Sequence, residues 1–455
     1  MKGISTKTLF TSILFLSVFA FSNTRAQSWS PLGTTDFSSG SGYYTSLVVA
    51  GGIPYVAYEN GISFGPASVM KYNGGNWQSL SDSIGATAQF TSIAINPKNG
   101  YPYIVYSEYG HYNQAIVLKY DGTNWDTVGK LPYFTAPHAQ YTNIAIDTAG
   151  TPYVVYIDGN NGFQATVKKY IAADSTWVTV GGSGFSTGEA DFCSIAINTA
   201  GTPYVAFQDA NKGYRATVMQ FNGASWVTVG TAGFSAGPAY TTNIAIDSAG
   251  IPYVVYADYG NHQKATVMEF IDASWVLVGT AGFSDSAAAY TTIAIAHNGT
   301  PFVAYTEGRN GSGGRATAME YTGGLWQTVC SPRFSPGIAL YTSIAVDSNG
   351  EAFVAYSDSH DYDRVSVMSP CSALGIKNVV AGSTLSIFPS PASTELTIQS
   401  TNEAIRQVTI TNLLGQTVYN QMHNTDKVQV NVFSLPVGVY FVKVNDTEVR
   451  KFVKE

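Results

Sequence analysis

"IAIDTAGTPYVVYID", residues 144–158, decides the fold, because the chain contains it seven times in variant form. The copies are "LVVAGGIPYVAYEN" (47–60), "IAINPKNGYPYIVYSE" (93–108), "IAINTAGTPYVAFQD" (195–209), "IAIDSAGIPYVVYAD" (244–258), "IAIAHNGTPFVAYTE" (293–307) and "IAVDSNGEAFVAYSD" (344–358). All seven tryptophans lie in a second recurring element, at Trp29, Trp77, Trp125, Trp177, Trp226, Trp275 and Trp326, spaced 48, 48, 52, 49, 49 and 51 residues apart. Between the two lies a third, such as "ATVKKY" (165–170), "ATVMQF" (216–221) and "ATVMEF" (265–270).

Each unit reads as four short strands, A like "TNIAI", B like "PYVVY", C like "ATVMQF" and D like "WVTVG", separated by Gly, Asn, Asp and Ser. Four strands in every ~40–50 residues, repeated seven times, predict an all-β, seven-bladed β-propeller. The chain opens on a D-type strand and leaves the repeat after a C-type strand, so the N-terminal strand should complete the last blade and close the ring. Closure removes the sheet edges that would otherwise invite aggregation.

Asp147 then falls in the A–B turn, where a side-chain acceptor and a following glycine suit a tight turn. Its equivalents are Asn198, Asp247, Asp347 and, in blade 6, Ala296. Interchange of Asp and Asn fits a turn and not a catalytic acid. The "D-x-x-G-x-x-Y-V" hairpin resembles NHL-type and kelch-like propeller repeats, at the level of fold only.

Asp158 ends strand B and lies on the opposite face. Every blade has a carboxylate there: Glu59, Glu108, Asp158, Asp209, Asp258, Glu307 and Asp358. They predict an acidic ring on the face of the B–C and D–A loops, open to a cation, a basic protein or a sugar. The alternative is local, since Asp209 and Arg215, Asp258 and Lys264, and Asp358 and Arg364 could pair across their hairpins. The same loops carry Phe64, Tyr109, Tyr112, Phe163, Tyr214, Tyr259 and Tyr362, the ring-plus-acid mixture that suits a carbohydrate. The candidate ligand-binding set is therefore Glu108, Tyr112, Asp158, Asp209, Tyr214, Asp258, Tyr259, Glu307 and Asp358.

No nucleophile elbow or other catalytic constellation is legible, and no catalytic residue is assigned. His111, His262 and His360 sit in loops of non-adjacent blades, which argues against a shared metal; "SDSHDYDR" (357–364) lacks the glycine and distal glutamate of an EF-hand. No cofactor is expected. The net charge is −7; the first 26 residues carry +3 and the tail from 385 six charges of each sign, leaving −10 between them. Such a surface repels nucleic acid.

Charged residues make up 12% of the chain, half the usual ~25%, and 30 Tyr and 45 Gly fit a turn-rich β protein. Lys2 and Lys7 precede the apolar run "LFTSILFLSVFAF" (9–21), followed by "SNTRAQ" (22–27), which predicts a secretory signal cleaved after Ala26. No later run approaches the ~18 apolar residues of a membrane span. Cys193, Cys330 and Cys371 make no disulfide framework, and Cys330 and Cys371 should lie on opposite faces, unbonded.

Past residue 384 the repeat stops. "FPSPA" (388–392), "LLGQTVY" (413–419), "LPVGVYFVKV" (435–444) and the basic ending "RKFVK" (450–454) together resemble the type A C-terminal sorting domain of the type IX secretion system, with Ser390 where that family usually has Asn. The matched positions are Pro389, Pro391, Ala392, Gly415, Gly438, Tyr440 and Lys451. The resemblance implies a small β-sandwich, here about seven short strands, that addresses the folded protein to an outer-membrane translocon in a Bacteroidota-type cell. The expected organisation is a signal at 1–26, a propeller at 27–370, a linker at 371–384 and the sorting domain at 385–455. The expected protein is a monomeric, secreted or surface-displayed propeller that binds a glycan or a protein. The alternatives are a hydrolase or lyase using the acidic loop face, and a structural surface repeat without a ligand.

Overall fold

A computed structural model describes residues 28–61, 64–308, 314–370, 385–400, 404–412, 416–445 and 448–455. The signal and its cleavage site at Ala26, the linker, Cys371 and Gly415 lie outside the described residues. Two compact units divide the chain, residues 1–371 and 372–455.

Seven four-stranded antiparallel sheets form the first unit. Blade 3 is representative: strand A is Ala139–Ile146, B is Pro152–Asp158, C is Gln164–Ile171 and D is Thr176–Thr179. Its A–B turn is built as its sequence suggests. Gly150 N donates to Asp147 O (2.9 Å), Thr151 N donates to Asp147 Oδ1 (2.8 Å), and Gly150 takes a φ of 84°. Asn198, Asp247 and Asp347 accept the same amide bond from Thr202, Ile251 and Glu351. The last blade joins Ala339–Val346, Ala352–Asp358 and Arg364–Pro370 to Trp29–Pro31, with Trp29 opposite Pro370. The ring is closed by its own N-terminal strand.

Both faces of each blade are buried against neighbours, so strand B is an unbroken apolar run and not an alternating one. Val155 and Ile157 pack with Ile195, Val205 and Phe207 of blade 4, while Val154 packs with Val105 and Val117 of blade 2. Two polar belts join the blades. On the outside, each Trp indole donates to a carbonyl of the preceding blade, as in Trp226 to Val180 O (2.8 Å) and Trp29 to Val329 O (2.8 Å). Trp226 also stacks on Phe185 (4.1 Å) and Trp29 on Phe334 (4.4 Å). On the inside, a Thr of strand A in every blade but the fourth, which has Cys193, donates to a carbonyl of the preceding blade, as in Thr142 to Phe90 O (2.7 Å), Thr242 to Phe192 O (2.7 Å) and Thr342 to Tyr290 O (2.5 Å). Thr45 to Tyr341 O makes this bond across the closure. Each such bond contributes about 1 kcal/mol net.

The second unit has two sheets. One joins Leu385–Phe388, Glu395–Ser400 and Lys427–Asn431; the other joins Thr417–Thr425, Ile405–Asn412, Gly438–Val444 and Glu448–Lys454. Leu396, Ile398, Val408, Ile410, Val442 and Phe452 fill the space between them. Among the described residues, no helix is long and apolar enough to cross a membrane.

Candidate ligand-binding face

The seven carboxylates stand together on one face, but they do not form an exposed ring. They are between 0 and 5% exposed. Among the described residues, strand B ends in a short turn of 3₁₀ helix in five of the blades; in four of them the acid accepts from a turn amide, while Glu108 of blade 2 accepts from Ala86 N (3.2 Å) instead. Asp258 Oδ1 accepts from Gly260 N (2.9 Å) and Oδ2 from Asn261 Nδ2 (2.7 Å); Asp158 does the same with Asn160 and Asn161. Asp209 accepts from Asn211 N (3.1 Å) and Thr217 Oγ1 (3.2 Å), and Glu307 from Thr317 Oγ1 (3.1 Å). Asp358 accepts from His360 N (2.9 Å) and Gly337 N (3.0 Å), and Glu59 from Phe64 N (2.7 Å). A buried carboxylate needs such donors, and backbone amides supply them.

The hairpin acid–base pairs are also not made. Arg215, Lys264 and Arg364 stand opposite Asp209, Asp258 and Asp358 in register. Among the described residues, however, Arg364 pairs with Asp361 (3.6 Å), and the other close ion pair is His111 with Glu108 (3.8 Å). The buried acids are already engaged inward, while these basic side chains reach toward solvent. Burial raises the carboxyl pKa of Glu59 and Asp358 above the ordinary range, despite the amides that accept part of that cost.

The loop rings, in contrast, are exposed. Phe64, Tyr109, Tyr112, Phe163, Tyr214, Tyr259 and Tyr362 range from 38 to 82%. Tyr112, Phe163, Tyr214 and Tyr362 stand at left-handed backbone positions (φ 55° to 63°), which swing the side chain away from the strand that follows. Phe64 and Tyr109 stack at 4.0 Å, joining blades 1 and 2.

Periodicity did not reveal a further set of residues. Strand A of every blade has a β-bulge two to four residues after its start, as between Gln140 and Asn143. The bulge residue has a φ between 49° and 54° in all seven blades: Tyr44, Phe90, Tyr141, Phe192, Thr241, Tyr290 and Tyr341. Six are aromatic. They line a cavity of about 200 Å³ to which all seven blades contribute, and which therefore lies on the propeller axis. The bulge is in the half of strand A that pairs with the end of strand B, so this cavity opens toward the loop face. Neighbouring rings are 4.8 to 5.3 Å apart, through Tyr290–Tyr341–Tyr44–Phe90–Tyr141–Phe192. Burial pushes the Tyr44 phenol up to about 12, and Tyr141, Tyr290 and Tyr341 move the same way for the same cause. The collar is neutral at physiological pH. Its sequence trace is the recurring "YTSLV", "FTSIA", "YTNIA", "FCSIA" and "YTTIA".

In the tail, Ala392 is fully buried and is bridged to Val453 O (2.8 Å), and Tyr440 is buried with its hydroxyl on Pro436 O (2.8 Å). Gly438 begins a strand, while Pro389, Pro391 and Lys451 are exposed. Among the described residues, no three His, Cys, Asp or Glu side chains are grouped to hold a metal ion.

No curated protein sequence matches the chain. Solved structures match at the level of fold. One is PorZ, a bacterial surface component of the type IX secretion system of Porphyromonas gingivalis (14% identity, TM-score 0.49, covering 92% of this chain and 60% of that one). Another is a fungal alcohol oxidase of the AA5 family in complex with copper (11%, 0.52, 94% and 99%). A third is the SapL1 lectin in complex with alpha methyl fucoside (17%, 0.45, 65% and 97%). This chain thus spans three-fifths of the length of the first of them. Residues 386–455 match the family model described as "Secretion system C-terminal sorting domain". The buried Ala392 and Tyr440 account for part of that pattern as a sandwich core, and the tail is a type IX secretion system C-terminal sorting domain, which supports export to the cell surface or beyond.

Proposed function

We propose that the protein is an exported binding propeller that recognises a glycan on the face of its B–C and D–A loops. The observation that carries this reading is the concentration of exposed rings on that face, around an aromatic, uncharged channel mouth. Rings of this kind cover the apolar faces of sugars, and the neutral phenols of the collar both donate to and accept from hydroxyls. The opposite face consists of tight turns such as that of Asp147, which offer little side-chain surface. The buried carboxylates hold the loops in shape and act on a ligand only through them. A glycan-array screen of the purified protein tests the reading. Binding to a defined set of glycans is expected, and it should be lost when Tyr112, Tyr214 and Tyr259 are changed together to Ala, with the circular dichroism spectrum unchanged. Binding that survives this triple change and is lost on altering the A–B turns would place the ligand on the other face.

One cluster favours a second reading, a hydrolase or lyase. In blade 2, Glu108 Oε2 accepts from the Tyr133 hydroxyl (2.8 Å), and the exposed His111 stacks on Tyr133 (4.5 Å) with its Nδ1 3.8 Å from Glu108, a cluster not repeated among the described residues. An imidazole backed by a buried carboxylate is a general-base arrangement. Release of reducing ends from a polysaccharide panel, abolished by His111→Ala, would support it.

A further inference from the structure

The seven repeats make a nearly symmetric collar, so the place where symmetry fails carries information. It fails at blade 5. Tyr44, Phe90, Tyr141, Phe192, Tyr290 and Tyr341 are replaced there by Thr241, with the same backbone conformation. The ring is not lost but moved one residue toward the N-terminus, to Tyr240. There it leaves the collar and stands 37% exposed. It packs 6.0 Å from Phe192 and 4.6 Å from Tyr259, whose plane is tilted by 37° from its own. Tyr259 is itself 41% exposed on the B–C loop. The aromatic series therefore turns outward at this blade, running from the channel through Phe192 and Tyr240 to the loop rim. At the matching position the other blades have Gln89, Gln140, Asp191, Ala289, Leu340 and Tyr43. Tyr43 turns edge-on to the collar's Tyr341 (5.8 Å).

Polar groups converge on the same spot. Thr241 Oγ1 and Thr291 Oγ1 face each other at 2.9 Å in the gap. Tyr214 and Asp191 lie close enough to act electrostatically on the Tyr240 phenol. Opposite Asp191 in register, Gln208 is 2% exposed, and its Nε2 has no hydrogen-bond partner among the described residues. The equivalent side chains Ser107 and Thr306 donate to Ala139 O and Ala339 O, the first residues of strand A in the next blade. Gln208 holds the corresponding place at the boundary with Ala239 and Tyr240, and leaves an amide donor unused. A buried donor without a partner is costly, and a native fold keeps one where something else supplies the acceptor.

We infer, resting on the glycan-binding reading above, that the propeller has one saccharide subsite, at the blade 4–5 boundary. In it a pyranose stacks on the Tyr240–Tyr259 pair and directs its hydroxyls toward Thr241, Asp191 and the Gln208 amide. The seven blades provide the frame, and a single break in the collar provides the site. Stoichiometry is one sugar per chain, not one per blade.

The test uses the full exported chain and a panel of methyl pyranosides of glucose, galactose, mannose, fucose and N-acetylglucosamine, plus methyl glucuronoside to separate neutral from anionic sugars. Saturation-transfer NMR identifies the binder and calorimetry gives affinity and stoichiometry. Tyr240→Ala should weaken binding at least tenfold, as should Thr241→Tyr, which restores the residue found in four other blades and closes the collar. Tyr101→Ala, which removes a ring 39% exposed on the opposite, A–B turn face, should leave affinity within twofold. If Thr241→Tyr alters the melting curve, Tyr240→Ala and Tyr259→Ala decide. Binding retained in both and lost in Tyr112→Ala would overturn the subsite and keep the binding function. Several equivalent sites per chain would overturn it as well. No binding of any pyranoside by the parent, with a blank glycan array, would remove both.

Discussion

Replacing Trp29 by Ala tests the closure of the ring quantitatively, because the molecule contains its own reference in Trp226. The two residues have almost the same surroundings. Trp29 is 6% exposed, donates to Val329 O at 2.8 Å and stacks on Phe334 at 4.4 Å; Trp226 is 9% exposed, donates to Val180 O at 2.8 Å and stacks on Phe185 at 4.1 Å. Truncating a buried Trp to Ala costs about 3–5 kcal/mol, of which the lost hydrogen bond and its stranded carbonyl account for about 1–3 kcal/mol. Trp226 lies inside the chain, with sequence-adjacent blades on both sides. Trp29 is on a three-residue strand whose partner is over 300 residues away. If that strand completes blade 7, both substitutions should lower stability by the same amount within about 1 kcal/mol, since equal burial loses equal energy. If it merely rests on the ring, Trp29→Ala should cost nearly nothing. Urea unfolding followed by far-ultraviolet circular dichroism measures both. A cost below about 1 kcal/mol for Trp29→Ala, beside a full cost for Trp226→Ala, would refute closure. A fall in the m-value for Trp29→Ala alone would show blade 7 detaching before the rest unfolds.

Two further outcomes follow from the same geometry. Cys193 occupies the inner-belt position that is Thr in the other six blades, and burial pushes its thiol pKa up, so it is inert; Cys193→Thr should restore a bond to the preceding blade and raise stability by about 0.5–1.5 kcal/mol, read by urea unfolding. Asp358 has a pKa raised by burial above the ordinary 3.8, so its contribution is fully present below 3.8 and is lost as pH rises through its folded value. Asp358→Asn is fixed in the neutral form, so its melting temperature should gain on the parent's as pH rises from 4 to 7; a gap that does not change with pH would show that the carboxyl is not perturbed.

Much of the fold was legible because propeller blades are local in sequence. The seven copies of "IAIDTAGTPYVVYID", the tryptophan spacing and the missing D strand at the end are all counted within units of about 50 residues, and even closure followed from the order of elements. Asp147 was legible for the same reason, since its partners Gly150 and Thr151 lie within four residues. The candidate site was legible only in part. The face and its rings could be read from loop positions, but the fate of the carboxylates could not. Asp358 accepts from Gly337, twenty-one residues earlier, and sequence spacing suggested Arg364, which pairs with Asp361 instead. The collar was hidden by a different cause. A period of two, carried through strand A, is broken by the bulge between Gln140 and Asn143, so the ring of Tyr141 turns to the axis where alternation gives it no special role. The same displacement conceals the asymmetry. "QYTNIAI" and "YTTNIAI" differ by a one-residue offset of the ring when aligned on "NIAI", and the register of Ala139 against Asp158 and of Ala239 against Asp258 shows what the offset means, because Tyr141 falls within the bulge and Tyr240 before it. One residue on a bulged strand separates a ring lining the channel from a ring standing at its rim. The sequence differences that matter for recognition in such a repeat are thus shifts of position as much as changes of residue type, and they become visible once strand pairing is known.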